Sequence, residues 1–368
     1  MDYEVQRYKV FYYFCHTNFT IMNMRLLLFS LLTLAATVAS ASRPRLAEDI
    51  MRIIGDDHIG VAVIFSDGDT LALDGNSPFE LQSVAKFHQA VALANKIGYP
   101  AIMTDSVTVT PADLLPNTWS PLRAAYPQGL TLTLPNLLYQ SLVMSDNNAA
   151  DIIFDRYVSP SETDSILHAL GSFGTYGIAV TEAQMHDNPA LSALNYSTPL
   201  ATARLMDHFF TADTTAAATV IRAVMSGSVP LGAARIPAGI PTGQALVFHK
   251  TGTGFDRPDG SISALNDAAF VCYTHPDGST GYYTLVIFMA DFAGARADGE
   301  QKIADISQAV WNSTVLERVK AMNASATVYP AQRRAGTSTA PDAESFGSAL
   351  MSTIFEAVLD QIIFPDSD

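Results

Sequence analysis

The sequence predicts an α+β fold: an antiparallel sheet built from N- and C-terminal segments flanked by helices, with an inserted all-helical lobe. Three observations predict it. Strand-like runs between turn signals lie toward both ends of the chain, helical periods fill the middle, and no internal repeat divides the whole. The chain has 368 residues, 48% hydrophobic and 15% charged, enough to bury a large core or two lobes and unlike disorder or a coiled coil.

Met24-Arg25, the apolar residues 26–38 and Ala39-Ser40-Ala41 form the charged start, apolar core and small-residue cleavage site of a secretory signal. Cleavage is expected after Ala41. The apolar run is shorter than the ~20 residues a membrane span needs, so no stable membrane insertion should follow cleavage. Residues 1–23, with aromatics scattered among charges, read as translated sequence upstream of the true start. Residues 46–54 are predicted as a short amphipathic helix, and 60–65 and 70–73 as a hairpin around Asp67-Gly68.

From about 83 to 229 the periods are helical. Val84, Phe87, Val91 and Ala94 share one face, which stops at Gly98. Strand patterns return at 245–249, 268–273 and 282–290, the last two joined through Pro276-Asp277-Gly278, and a helix follows from about 303 to 319. The main domain is thus placed at 42–322. Residues 323–368 read as an Ala/Ser/Thr/Pro linker and tail, whose 346–364 stretch forms an amphipathic pattern with an acidic polar face, better suited to docking than to a membrane surface.

The net charge of −15 and the lack of any Lys/Arg cluster exclude a nucleic-acid partner, which requires a basic stripe. Cleavage would leave only Cys272 of the two cysteines, in an apolar strand-like run, and neither CxxC nor HExxH occurs, so no disulfide, metal or cofactor is expected.

Ser83-Val84-Ala85-Lys86 opens the first long helix, where the spacing of three puts hydroxyl and amine on one face. A hydroxyl becomes a nucleophile when a neighbour takes its proton, and a lysine can do so when burial or positive neighbours lower its pKa. Alone the pair is too common to support a function. Ser145-Asp146-Asn147 follows 62 residues after Ser83, and Lys250-Thr251-Gly252 lies 105 residues after Ser145. Ser145 can pass a proton to a leaving nitrogen, Asn147 can bond an amide, Lys250 with Thr251 can hold a carboxylate, and Gly252 admits close approach to the strand backbone. Separately these triplets could be a helix cap and a strand end.

In order and spacing the three motifs resemble those of the class A serine β-lactamases. The resemblance covers about residues 46–320. It is similar to the extended-spectrum branch that includes the PER and CfxA enzymes through Leu81-Gln82-Ser83-Val84-Ala85-Lys86-Phe87-His88, Leu115-Pro116-Asn117-Thr118-Trp119-Ser120-Pro121 and Met144-Ser145-Asp146-Asn147-Asn148-Ala149. The resemblance implies the serine β-lactamase/penicillin-binding fold, a monomeric enzyme secreted or periplasmic, and ring opening of penicillins and cephalosporins through an acyl-enzyme on Ser83. It further implies that Lys86, Ser145 and Glu182 are catalytic. Glu182, 37 residues after Ser145, falls where the family carries the omega-loop glutamate that activates the deacylating water.

Where most of the family has an asparagine four positions later, this chain has His186, as the PER branch does, so the geometry of that water is open. By resemblance the N–H groups of Ser83 and Thr253 receive the oxyanion, and the Thr253 side chain also faces substrate. Trp119 matches the aromatic of the family's cleft, though an ordinary packed tryptophan is an equal reading. Arg235 reads as a structural ion-pair partner ahead of a further carboxylate-binding charge. Gln82, His186 and Thr253 favour cephalosporins. The alternatives are a D-Ala-D-Ala carboxypeptidase or penicillin-binding protein, against which Glu182 argues, and a non-hydrolysing β-lactam sensor, which would need 26–38 to remain as an anchor.

Overall fold

The computed structural model describes residues 32–226, 231–275 and 280–316. Its centre is a five-stranded antiparallel sheet in the order β2-β1-β10-β9-β8, from β1 (His58–Phe65), β2 (Thr70–Leu73), β8 (Ala245–Thr253), β9 (Ile262–Thr274) and β10 (Thr280–Phe292). The N-terminal hairpin therefore pairs with the C-terminal one, His58 opposite Ala290, and everything between β2 and β8 is an insertion. The α+β class is as the sequence predicts. Gly68, at φ +87°, turns the first hairpin.

The insertion contains α2 (Ala85–Thr104), α3 (Pro121–Ala125), α4 (Leu134–Leu142), α5 (Asn147–Arg156), α6 (Pro160–Leu170), α7 (Glu182–Asp187), α8 (Pro199–Thr211) and α9 (Ala216–Met225). Helix α2 breaks at Gly98, φ +71°, where the apolar period stops. Short ribbons that periodicity did not signal interrupt the lobe: β4 (Ser106–Val109) with β5 (Leu130–Thr133), and β3 (Phe79–Glu80) with β7 (Tyr196–Ser197) and β6 (Tyr176–Gly177). Two to four residues offer too few alternations to register as a period unless a turn signal such as Asp67-Gly68 marks them, as it does for β2.

One core lies between sheet and lobe, around Phe87, Leu93, Phe209, Phe248 and Phe288. A second lies on the other face, where α1 (Leu32–Ile54) and α10 (Arg296–Trp311) cover Val61, Leu285 and Ile287 with Ile50, Ile306 and Trp311. Burial on both faces makes β9 and β10 almost continuously buried rather than alternating.

Several bounds differ from the sequence reading. Helix α1 begins at Leu32 and runs through Pro44, so it starts well before residue 46 and contains the expected cleavage point. Helix α10 begins at Arg296, seven residues before the predicted start, because its first two turns are polar and Gly299 is pressed against Leu265 and Phe292; a π-helical turn, Asn312–Leu316, continues it. Strand β9 begins six residues before the predicted start because Ser263, Asn266 and Asp267, which break the apolar run, are buried with hydrogen-bond partners. The turn Pro276-Asp277-Gly278, Cys15, residues 317–319, the linker and the tail helix at 346–364 lie outside the described residues. Cys272 sits half-buried on β9. Among the described residues no helix is long and apolar enough to cross a membrane.

Candidate active site

Ser83 sits in a 3-10 turn, Gln82–Val84, that leads directly into α2. Lys86 follows one turn on and is buried, and its Nζ donates to Ser83 Oγ at 2.7 Å, Asn147 Oδ1 at 2.7 Å and Glu182 Oε1 at 2.5 Å. An ammonium has three N–H bonds, and each here meets an acceptor from a different segment.

Ser145 occupies a left-handed conformation, φ +54°, just before α5. The cap reading and the functional reading of its triplet coexist. Asp146 caps α5 through Ala149 N at 2.8 Å and also accepts from Leu122 N at 2.7 Å and Ser120 Oγ at 2.8 Å, leaving Ser145 and Asn147 to meet Lys250 and Lys86. Burial raises the Asp146 carboxyl, against these hydrogen bonds. Lys250 reaches across from β8 and donates to Ser145 Oγ at 2.8 Å and to its neighbour's Thr251 carbonyl at 2.9 Å. Burial, then the Lys86 charge, holds Lys250 well below the ordinary lysine range.

Glu182 is the first residue of α7, a helix of six residues stabilised at its start by a capping box between Thr181 and Gln184. Asn195 closes the loop before it, accepting from Ala179 N and Val180 N and donating to Val180 O. The α7 N-terminus is fastened by Asp151, whose two oxygens accept from Glu182 N and Ala183 N, both at 2.8 Å. Burial, then the Glu182 charge, pushes Asp151 up to about 6. Asp151 and Asn147 are one turn apart on α5, so one helix face holds both the Lys86 amine and the Glu182 backbone. Sequence reasoning missed Asp151; its spacing of four from Asn147 was the available signal.

The cleft's other wall is β8, an edge strand. Gly254 N donates to Ala264 O, so alternation along the ladder turns the Thr253 N–H toward the open edge, on the side of Ser83. A Cβ on Gly252 would lie 2.5 Å from the Leu81 carbonyl oxygen, so only glycine lets the strand pack so closely on the turn before Ser83. Arg235 is buried and forms the expected ion pair, with Glu300 at 3.2 Å. It also donates to Gly252 O, Asn266 O and Thr253 Oγ1 at 2.9, 2.7 and 2.7 Å, bracing the strand that carries Gly252 and Thr253.

Trp119 is 55% exposed, which removes the packed-core alternative. Its indole N–H donates to Met144 O at 3.0 Å and its own carbonyl accepts from Asn147 N at 3.0 Å, so it stands on the rim beside the Ser145 turn. His186 points to Asn147, Nε2 to Nδ2 at 3.3 Å, and its ring meets Phe255 edge-on at 5.7 Å. Because Asn147 Oδ1 accepts from Lys86, its Nδ2 must donate, and it does so to Thr118 Oγ1 at 2.7 Å. Among the described residues no group of three or more His, Cys, Asp or Glu is arranged to hold a metal ion.

A half-buried serine bonded to a buried lysine and glutamate at the seam of a sheet and an inserted helical lobe defines a serine hydrolase of α+β type. The family model of the β-lactamase enzyme family matches residues 45–314. A β-lactamase of Phocaeicola vulgatus is 33% identical over 305 residues, covering 80% of this chain and 94% of its own length. The extended-spectrum β-lactamase PER-1 of Pseudomonas aeruginosa is 28% identical over 281 residues, covering 74% and 88%. The crystal structure of a Chitinophaga pinensis β-lactamase superimposes with TM-score 0.67 at 30% identity, covering 74% of this chain and 99% of that one. That of the TLA-1 extended-spectrum β-lactamase gives TM-score 0.69 at 28% identity with the same coverage. The chain belongs to the β-lactamase enzyme family, in its class A serine branch.

Proposed function

We propose that the protein is an exported β-lactamase that hydrolyses the lactam amide of penicillins and cephalosporins through an ester on Ser83, freed by water that Glu182 activates. The observation that carries this reading is the triple contact of Lys86 Nζ with Ser83, Asn147 and Glu182. In acylation the Ser83 proton leaves to Lys86, in its amine form, or through water to Glu182. Ser83 Oγ bonds to the lactam carbon, the carbon–nitrogen bond breaks, and the nitrogen takes a proton from Ser145, which Lys250 replenishes.

The oxyanion is met by Ser83 N–H and Thr253 N–H. Before deacylation the group that took the Ser83 proton passes it through solvent to Lys250, so Glu182 stands as a carboxylate; it then takes a proton from water, the hydroxide adds to the ester carbon, and Ser83 leaves with that proton returned to it. Asn147 bonds the substrate amide, while Lys250, Thr251 and Thr253 bind its carboxylate. Trp119 and His186 line the rim. Cephalosporin breadth is supported by the likeness to enzymes named extended-spectrum.

The test is turnover of a chromogenic cephalosporin followed by intact mass. Ser83→Ala should abolish turnover, and Glu182→Ala should accumulate a covalent adduct. Parent-rate turnover by Ser83→Ala would remove the nucleophile assignment, and unimpaired turnover by Glu182→Ala would remove the base. Export rests on residues 24–41 and is checked by N-terminal sequencing of secreted protein, which should begin at Ser42.

A further inference from the structure

The backbone that delivers Ser83 is held in a conformation it would not adopt by itself. Gln82, the residue before the nucleophile, lies at φ +49°, a left-handed region that a residue with a side chain enters only when its surroundings impose it. The Gln82 side chain donates to Glu80 Oε2 at 2.9 Å, which ties the turn to itself but not to the sheet. The tie to the sheet comes from Asn266, fully buried on β9 opposite Gly252 of β8. Its Nδ2 donates to Glu80 O at 2.7 Å and to Leu81 O at 3.3 Å, and its Oδ1 accepts from Met289 N at 3.3 Å on β10.

The same Leu81 carbonyl is the atom against which the Gly252 backbone packs. From the far side Leu81 N donates to Asn195 O at 2.9 Å, so the turn is gripped between the loop that carries Glu182 and the sheet. Asn266 thus stands directly behind the gap between Ser83 and Thr253. Arg235 donates to its main-chain oxygen and to Gly252 O, which locks the two facing strands in register.

We infer that Asn266 is a positioning residue for the oxyanion donors: by clamping the carbonyls of Glu80 and Leu81 to β9 and β10 it sets the direction of the Ser83 N–H and its separation from the Thr253 N–H. This rests on the acyl-enzyme reading above. An asparagine suits the task because its amide supplies two donors toward the turn and an acceptor toward β10, a combination no apolar side chain offers. Without it the buried Leu81 carbonyl and the half-buried Glu80 carbonyl lose a donor and Gln82 can relax out of its left-handed conformation.

The experiment uses acyl-enzyme trapped in a Glu182→Gln background with a cephalosporin, and reads the infrared stretch of the ester carbonyl together with the acylation rate. Well-aimed donors polarise that carbonyl and lower its frequency. Asn266→Ala should shift the band to higher frequency and slow acylation by about 10- to 100-fold, somewhat less than outright loss of one oxyanion donor. Asn266→Ser, which retains one hydroxyl donor, should fall between, and it carries the comparison if the alanine variant does not fold. A trapped ester whose band stays at the parent position in either variant overturns the inference, whatever happens to turnover. If no ester can be trapped in the Glu182→Gln background alone, the acyl-enzyme reading fails first and this inference goes with it.

Discussion

Asp151 provides a perturbation in which activity and stability should move in opposite directions. Its carboxylate accepts from the N–H groups of Glu182 and Ala183, both at 2.8 Å, while lying half-buried beside the Glu182 carboxylate. Asp151→Asn keeps the shape but replaces one acceptor oxygen with an NH₂ that faces an N–H donor. Losing one hydrogen bond to a charged group costs about 2 kcal/mol in holding α7 in place, which corresponds to roughly 30-fold.

The stability effect has the opposite sign. The folded-state carboxyl is raised from 3.8 to about 6 by burial, then by Glu182. A raised carboxyl contributes stability that is present below pH 3.8 and is lost as pH rises through 6, about 3 kcal/mol in all. At pH 7.5 the charge is therefore a burden on the fold, and asparagine relieves it. Deacylation of a cephalosporin, followed by single-turnover mass spectrometry, should slow about 30-fold in Asp151→Asn, while the melting temperature at pH 7.5 stays level or rises. The parent enzyme should also lose deacylation rate as pH falls through about 6, where Asp151 gains a proton and an N–H loses its acceptor, and this component should vanish in the variant. Parent-like deacylation, or a rate loss that tracks a lower melting temperature, would refute the reasoning.

Three further outcomes follow from other contacts. Arg235→Lys retains the charge but cannot span Gly252 O, Asn266 O, Thr253 Oγ1 and Glu300 together; we expect a loss of about 2–4 kcal/mol in urea unfolding, and an unchanged midpoint would count against the bracing role. Gly252→Ala drives a Cβ to 2.5 Å from the Leu81 oxygen, so acylation should fall and stability drop by about 1–3 kcal/mol, measured by stopped-flow and thermal melting. His88 is fully buried and pushed down to about 4 by that burial, so its contribution is intact above pH 6.5 and is lost as pH falls toward 4, about 3 kcal/mol. His88→Phe should flatten the acid side of the stability profile; an identical fall in urea midpoint between pH 7 and pH 4 would exclude His88 as the cause.

The sequence by itself determined what is local or repeats with a period. It marked β2 at Thr70–Leu73, the break of α2 at Gly98 and the sheet shared by the two ends of the chain, because turn residues and apolar spacing act within a few positions. The order and spacing of its three motifs also carried the family resemblance that singled out Ser83, Lys86, Ser145, Glu182 and Lys250, since each triplet needs fixed neighbours along the backbone. The polar segments of β9 escaped it because buried polar residues with partners look exposed to any hydrophobic pattern, the two-residue strands because they are too short to alternate, and the first turns of α10 because they are mostly exposed and polar. Only the tertiary structure decided which side chains meet. Lys86 bonds Glu182 across 96 positions, Asp151 holds Glu182 across 31, and Asn266 grips Glu80 across 186. Those pairings depend on how β8 registers on β9 and how α5 lies against α7, and a contact between distant segments leaves no period for a single sequence to display.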